Sequence, residues 1–114
     1  MTMASSDTRS KLAPAVALFR SLADPARLLI VRRLAQGEAP VVELTAQCGL
    51  AQSTVSEHLA CLRDCGLVGS RPVGRASVHF IAQPALFDLL DAAQVLLAAT
   101  GEAVALCPSY RDDQ

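Results

Sequence analysis

Two cysteines four positions apart, Cys61 and Cys65, are the residues of this 114-residue chain whose types and spacing most directly indicate chemistry. In a helix, positions i and i+4 lie on one face with their Cβ atoms about 5–6 Å apart. Two thiolates held in this way can bind the same soft metal ion. The spacing therefore predicts a metal site on the helix that contains both cysteines.

The helix that carries this pair is predicted to run from Gln52 to Asp64 or Cys65. Its apolar residues lie at positions i, i+4 and i+7, which gives it one buried stripe of Val55, Leu59 and Leu62. Gly66 follows, as is common where a helix ends. The outward side of the same helix presents polar and basic residues, namely Gln52, Ser53, Thr54, Ser56 and Arg63.

Capping residues and apolar periodicity predict the elements around this helix. Asp24-Pro25 is a strong start signal, because Asp accepts from free N–H groups and Pro suits the first helical position. We expect helices over residues 11–22, from Asp24-Pro25 to Gln36-Gly37, and over 41–47, 52–65 and 84–99. Two strands, 67–71 and 76–81, enclose a turn at 72–75. This order is that of a mainly α protein with a small β-hairpin, a winged helix-turn-helix.

The domain limits follow from the same elements. A DNA-binding and dimerisation domain is expected over residues 11–99, between a flexible N-terminus (1–10) and a C-terminal tail (100–114) that is predicted to be irregular and contains Cys107. The last helix carries apolar residues on more than one face, more than a solvated helix needs. A second copy of the chain is the expected cover, so the protein is predicted to be dimeric.

The winged helix-turn-helix order predicts which residues contact nucleic acid. In this arrangement the second helix of the motif enters the major groove of double-stranded DNA, and the hairpin reaches the flanking backbone. Here that helix is 52–65. Its polar residues can bond to phosphates or base edges, Ser53 can also cap the helix, and His58 is expected to bond to a backbone group or a phosphate. Arg71 and Arg75 place charge on the hairpin.

Charge and composition agree with this interpretation. The net charge is −1, but residues 9–75 carry +4 and residues 76–114 carry −4, so a basic face and an acidic remainder are expected. No apolar run approaches the roughly 20 residues needed to cross a bilayer, and the polar N-terminus lacks a signal-peptide core. We therefore expect a cytoplasmic protein with no membrane partner and with reduced thiols.

Three segments of the chain resemble the ArsR/SmtB family of metalloregulatory repressors. Residues 22–30 (LADPARLLI) are similar to the opening motif of that family, and residues 52–59 (QSTVSEHL), with Leu62 and Gly66-Leu67-Val68, are similar to its recognition helix. Gly74-Arg75, followed by Val78-His79-Phe80, resembles its wing, with Phe80 where Tyr is usual. The resemblance covers residues 15–97. It implies a homodimeric winged-helix repressor that binds operator DNA.

Within the family, the resemblance is closest to the cadmium- and lead-sensing repressors of the CmtR type. These place two cysteines in the recognition helix and a third in the tail, which implies Cys61, Cys65 and Cys107 as ligands here. The third-helix cysteine site of arsenite sensors is absent, because the matching run is 43–47 (ELTAQ); the last helix has no histidine for a zinc or nickel site. Cys48 is then a packing residue.

Three thiolates form a soft, highly charged site suited to Cd(II) or Pb(II), which are the expected inducers. Zn(II) is an alternative, although structural zinc usually takes four ligands. As(III) or Sb(III) also accepts three thiolates, and a repressor that senses oxidation through Cys61 and Cys65 is a further alternative. No glycine-rich phosphate loop, Cys-x-x-Cys motif or acid–base pair is present. The sequence thus predicts that the protein is not an enzyme and has no organic cofactor. A metal-storage protein is a further alternative, which would take up metal without binding a specific operator.

Overall fold

The computed structural model describes residues 6–101 and 103–106. The elements in chain order are α1 (Ser6–Ala23), α2 (Pro25–Leu34), β1 (Ala39–Pro40), α3 (Val41–Cys48), α4 (Gln52–Asp64), β2 (Val68–Val73), β3 (Ala76–Ile81), α5 (Pro84–Thr100) and α6 (Ala103–Leu106). The chain divides into two compact units, residues 1–82 and 83–114. The order helix, helix, helix-turn-helix, hairpin, helix is the predicted winged helix-turn-helix.

Both ends of the expected domain differ from the prediction. Helix α1 begins at Ser6, within the segment expected to be flexible. Asp7 explains the earlier start, because an acid in the first turn complements the helix dipole and its carboxylate lies 3.3 Å from Lys11 Nζ one turn later. The expected irregular tail contains a short helix, Ala103–Leu106. Cys107 lies outside the described residues.

Helices α2, α3 and α4 pack together around one small core. The predicted stripe of α4 is confirmed, since Val55, Leu59 and Leu62 are all buried. Helix α2 contributes three buried side chains, Ile30, Val31 and Leu34. Leu34 lies one turn after the other two, so all three are on one face of the helix. Leu28 and Leu29 of the same helix are exposed, because they face away from this core.

The wing has one strand more than the predicted hairpin. Two residues of β1 pair antiparallel with β3, Ala39 with His79 and Pro40 with Val78, so the strand order is β1-β3-β2. A two-residue strand that contains proline has no periodicity, and only its pairing reveals it. Strand β2 also continues through Pro72 to Val73, which is tolerated because β2 is an edge strand. The turn is therefore reduced to Gly74-Arg75.

Helices α1 and α5 each leave large apolar side chains exposed. On α1 these are Leu12, Val16 and Phe19, and on α5 they are Phe87, Val95, Leu96 and Leu97. Fully burying one such side chain contributes about 1.5–3 kcal/mol, so two exposed sets are a strong reason to expect a covering surface. No helix in the described part of the chain is both long enough and apolar enough to span a bilayer.

Candidate nucleic-acid interface

The two ends of helix α4 differ in how they are capped. Its C-terminus is a Schellman motif, in which the Leu67 N–H donates to Leu62 O (3.0 Å) and the Gly66 N–H donates to Arg63 O (2.9 Å). Gly66 has φ +78°, which favours glycine. At the other end the capping residue is Ala51, with no side-chain hydrogen bond, so the expectation that Ser53 caps the helix was wrong.

The first turns of α4 present their polar side chains to solvent. Gln52, Ser53 and Ser56 are exposed, and Thr54 is half-buried. Because Ala51 leaves the first N–H groups of the helix without a side-chain acceptor, these groups and the helix dipole favour an anion at this end. Such an end can contact DNA phosphates while the adjacent side chains reach base edges. Arg63, near the other end, is exposed as well.

His58 contacts the protein itself. Its Nε2 lies 3.9 Å from Asp24 Oδ1, and its side chain is only 20% exposed. The same Asp24 oxygen accepts from the N–H groups of Ala26 (2.9 Å) and Arg27 (3.1 Å), which confirms the predicted helix cap. The hydrogen bond from the Arg27 N–H holds the pKa of Asp24 below its ordinary value. His58 thus ties α4 to the start of α2, and its contact with DNA stays a prediction.

The two wing arginines have different surroundings. Arg75 is exposed in the turn between β2 and β3, and no carboxylate in the described residues pairs with it. Arg71 on β2 pairs with Glu38, the residue before β1; its Nε donates to Glu38 Oε2 at 3.3 Å, and its Nη2 lies against the other oxygen. The two residues are 33 positions apart in the sequence, so no local pattern could have predicted the pair.

Cys61 and Cys65 occupy one face at the end of α4. Cys65 keeps a right-handed helical conformation (φ −80°, ψ −6°), and its N–H donates to Cys61 O at 3.1 Å. The helical turn between the two thiols is therefore intact, as their spacing predicted. Both are free thiols; Cys61 is half-buried and Cys65 is exposed.

The cysteine face of α4 is directed toward α1. Cys65 Sγ lies 3.5 Å from Ser21 Oγ, and Cys65 borders a cavity of about 220 Å³ whose apolar walls are Pro14, Ala17, Leu18 and Leu67. His58, Cys61 and Cys65 are spaced i, i+3 and i+7, so they share this face. A ligand bound there would contact α4 from the side opposite to Gln52, Ser56 and Arg63.

The described residues contain no group of three or more metal-binding side chains. The pair on α4 supplies two thiols, and the third predicted ligand, Cys107, lies outside the described residues. Cys48 is half-buried at the end of α3, where burial raises the pKa of its thiol and Arg33 opposes that shift. A raised pKa makes this thiol a poorer metal ligand, because the thiolate is the binding form.

His79 is a buried polar residue that the sequence did not single out as part of the core. It is 3% exposed in the central strand β3, and its Nδ1 has no hydrogen-bond partner. Burial lowers the pKa of His79, and the positive charge of Arg63 lowers it further. Both effects favour the neutral form of the His79 imidazole.

Comparison with known proteins finds a bacterial regulator family and relatives that are named as regulators. Residues 24–70 match the description "Bacterial regulatory protein, arsR family". The chain is 39% identical to the HTH-type transcriptional regulator CmtR of Mycobacterium tuberculosis, covering 81% of this chain and 89% of that protein. It is 37% identical to a probable mercury resistance operon repressor of Streptomyces lividans, covering 78% and 71%.

Among solved structures, the chain is similar to the homodimeric winged helix-turn-helix DNA-binding domain of a possible ArsR-family transcriptional regulator from Mycobacterium bovis. The TM-score is 0.75 at 29% identity, covering 90% of this chain and 94% of that one.

Proposed function

This chain belongs to the ArsR family of bacterial regulatory proteins, and we propose that it is a homodimer that leaves its operator when a thiophilic metal ion binds Cys61, Cys65 and Cys107. Its family and fold are those of DNA-binding transcriptional repressors and not of enzymes. A homologue named a probable mercury resistance operon repressor supports a metal ion as the inducer. One observation carries the finer proposal: the free thiol pair and the exposed polar residues belong to the same helix, α4.

The donor set favours a soft ion. Two thiols on one intact helical turn fit two positions of a thiolate site, and Cys107 would complete it with a third sulfur. Cd(II) or Pb(II) then suits the site better than a hard, oxygen-preferring ion. The similarity to a probable mercury resistance repressor supports this thiophilic class.

Release of DNA would follow from coupling through α4. The metal would bind on the face that contacts α1, whereas DNA would contact the exposed polar residues of the same rigid element. If the metal prefers an orientation of α4 that fits DNA poorly, each ligand weakens the other by the same factor. A coupling of about 1–3 kcal/mol corresponds to a change in affinity of roughly 5–150-fold.

A homodimer is supported by the exposed apolar residues of α1 and α5 and by the homodimeric relative. Two copies would present two α4 helices and two wings to the two half-sites of an operator, as dimeric helix-turn-helix proteins do. Cys107 could then complete the site of its own chain or of the second copy.

The test is a titration of Cd(II) into the dimer bound to a fluorescent duplex from the promoter of its own gene. We expect wild type and Cys48→Ser, the matched control, to release DNA. Cys61→Ser, Cys65→Ser and Cys107→Ser should stay bound to DNA and show a weaker ultraviolet sulfur-to-metal absorption band. If Cys61→Ser releases DNA as wild type does, the proposed site is wrong.

The same assay separates the alternative inducers. Pb(II), Zn(II) and arsenite added in place of Cd(II) rank the ions directly. An oxidation sensor would instead respond to peroxide, and dithiothreitol would reverse the release. The intact helical turn disfavours that alternative, because its Cβ separation of about 5–6 Å exceeds the ~3.5–4.5 Å that a disulfide requires.

A further inference from the structure

Arg71 and Glu38 form a two-point ion pair across the outer face of the wing. The register places Arg71 opposite Val78, and Val78 opposite Pro40, so these three residues lie in one row across β2, β3 and β1. Glu38 lies two positions before Pro40 and therefore belongs to the same face of the sheet. The guanidinium thus reaches from one edge strand, past the central strand, to the carboxylate beside the other edge.

This pair is accessible to a competing ligand. The Arg71 side chain is 52% exposed and the Glu38 side chain is 45% exposed. A surface pair of this kind contributes little to stability, since solvent screens it. The guanidinium fork fits a carboxylate and a phosphate equally well in geometry. Within the described residues, the other two candidate DNA-binding arginines, Arg63 and Arg75, have no acidic partner.

We propose that Glu38 competes with DNA phosphate for Arg71 and thereby limits both the affinity for DNA and its salt dependence. The inference rests on the proposed DNA-binding function but not on the metal site. When Arg71 turns to a phosphate, it must leave Glu38, and the freed carboxylate then attracts a cation from solution. The cation released from DNA is therefore partly offset by cations that gather around Glu38.

The competition has a measurable signature in salt dependence. Each phosphate neutralised without compensation steepens the plot of log K against log salt by about 0.9. Replacing Glu38 with Gln removes the compensation at both wings of a homodimer, so the slope should become steeper by up to about 1.8, which is about 0.9 at each wing. Removal of a negative charge beside the phosphate should also tighten binding about three- to tenfold at low salt.

The experiment measures binding of wild type and Glu38→Gln to two duplexes, the promoter of its own gene and a scrambled sequence, between about 50 and 200 mM salt. We expect Glu38→Gln to bind both duplexes more tightly and with the steeper slope, because phosphate contacts carry no sequence information. Asp7→Asn is the charge control, since it removes the acid of another exposed ion pair, Asp7–Lys11 on α1, and should change neither quantity. The double variant Glu38→Gln/Arg71→Gln should match Arg71→Gln alone.

Two results would overturn the inference. Weaker binding with a shallower slope would show that Glu38 positions Arg71 for DNA, and an unchanged affinity and slope would show that Arg71 does not contact phosphate. A third result would separate the two proposals. If wild type binds the promoter and scrambled duplexes equally well, but Glu38→Gln still binds both more tightly, the proposed operator function is wrong and the competition at Arg71 stands. Equal thermal stability of Glu38→Gln and wild type confirms that the fold is intact.

Discussion

The capping carboxylate of Asp24 provides a sharp test of how α2 and α4 are joined. One of its oxygens accepts from two backbone N–H groups at the start of α2 and lies 3.9 Å from His58 Nε2 on α4. Asp24→Ala removes all three interactions at once. Asp24→Asn is the matched variant, because Asn is as good a cap as Asp but carries no charge.

The magnitude follows from these contacts. Loss of an N-cap costs about 0.5–2 kcal/mol, typically ~1. The contact with His58 is partly exposed and long, so it adds about 0.5 kcal/mol or less. We therefore expect Asp24→Ala to lower the free energy of unfolding by about 1–1.5 kcal/mol, whereas Asp24→Asn should lower it by no more than about 0.5 kcal/mol.

The assay is urea unfolding at one fixed protomer concentration, because a dimer's stability depends on concentration. The acid side gives a second reading. The pKa of Asp24 is lowered in the folded protein, so its stabilisation is present above the ordinary value of 3.8 and is lost as pH falls through the lowered pKa. Asp24→Asn has no carboxylate to protonate at this position, so its free energy of unfolding should fall less at acid pH than that of wild type. Equal destabilisation by the two variants would refute the argument, since it would assign the effect to charge and not to capping.

Three further outcomes are expected. Burial lowers the pKa of His79, so the unfolded chain binds a proton at His79 before the folded protein does as pH falls below about 6.5. Wild type should therefore lose thermal stability in that range, and the stability of His79→Gln should depend less on pH. A Cβ at Gly69 would lie 2.7 Å from the Phe80 ring, so Gly69→Ala should cost about 1–3 kcal/mol in urea unfolding, and Phe80→Leu should restore part of it. Leu96, which is 63% exposed on α5, should be part of the dimer contact, so Leu96→Glu should yield folded monomers in sedimentation velocity, and an unchanged dimer would exclude this surface.

The amino-acid sequence alone was sufficient wherever a signal acts over a few residues. Asp24-Pro25 starts α2, Gly66 ends α4, and the spacing of Val55, Leu59 and Leu62 predicts the face that is buried. The i, i+4 spacing likewise predicts that Cys61 and Cys65 share one face. These features depend on backbone hydrogen bonds and on the helical period. The residues that determine them lie within about ten positions of one another, so a short stretch of sequence is enough to predict them.

The tertiary structure decided which surfaces these elements turn toward each other. Strand β1 exists only because β3 lies beside it, and Glu38 meets Arg71 only across the sheet. His58 contacts Asp24, and the cysteine face meets α1, because of how α4 packs on the first two helices. Such contacts join residues about 30 to 45 positions apart, where loop closure and core packing, not local propensity, determine the partner.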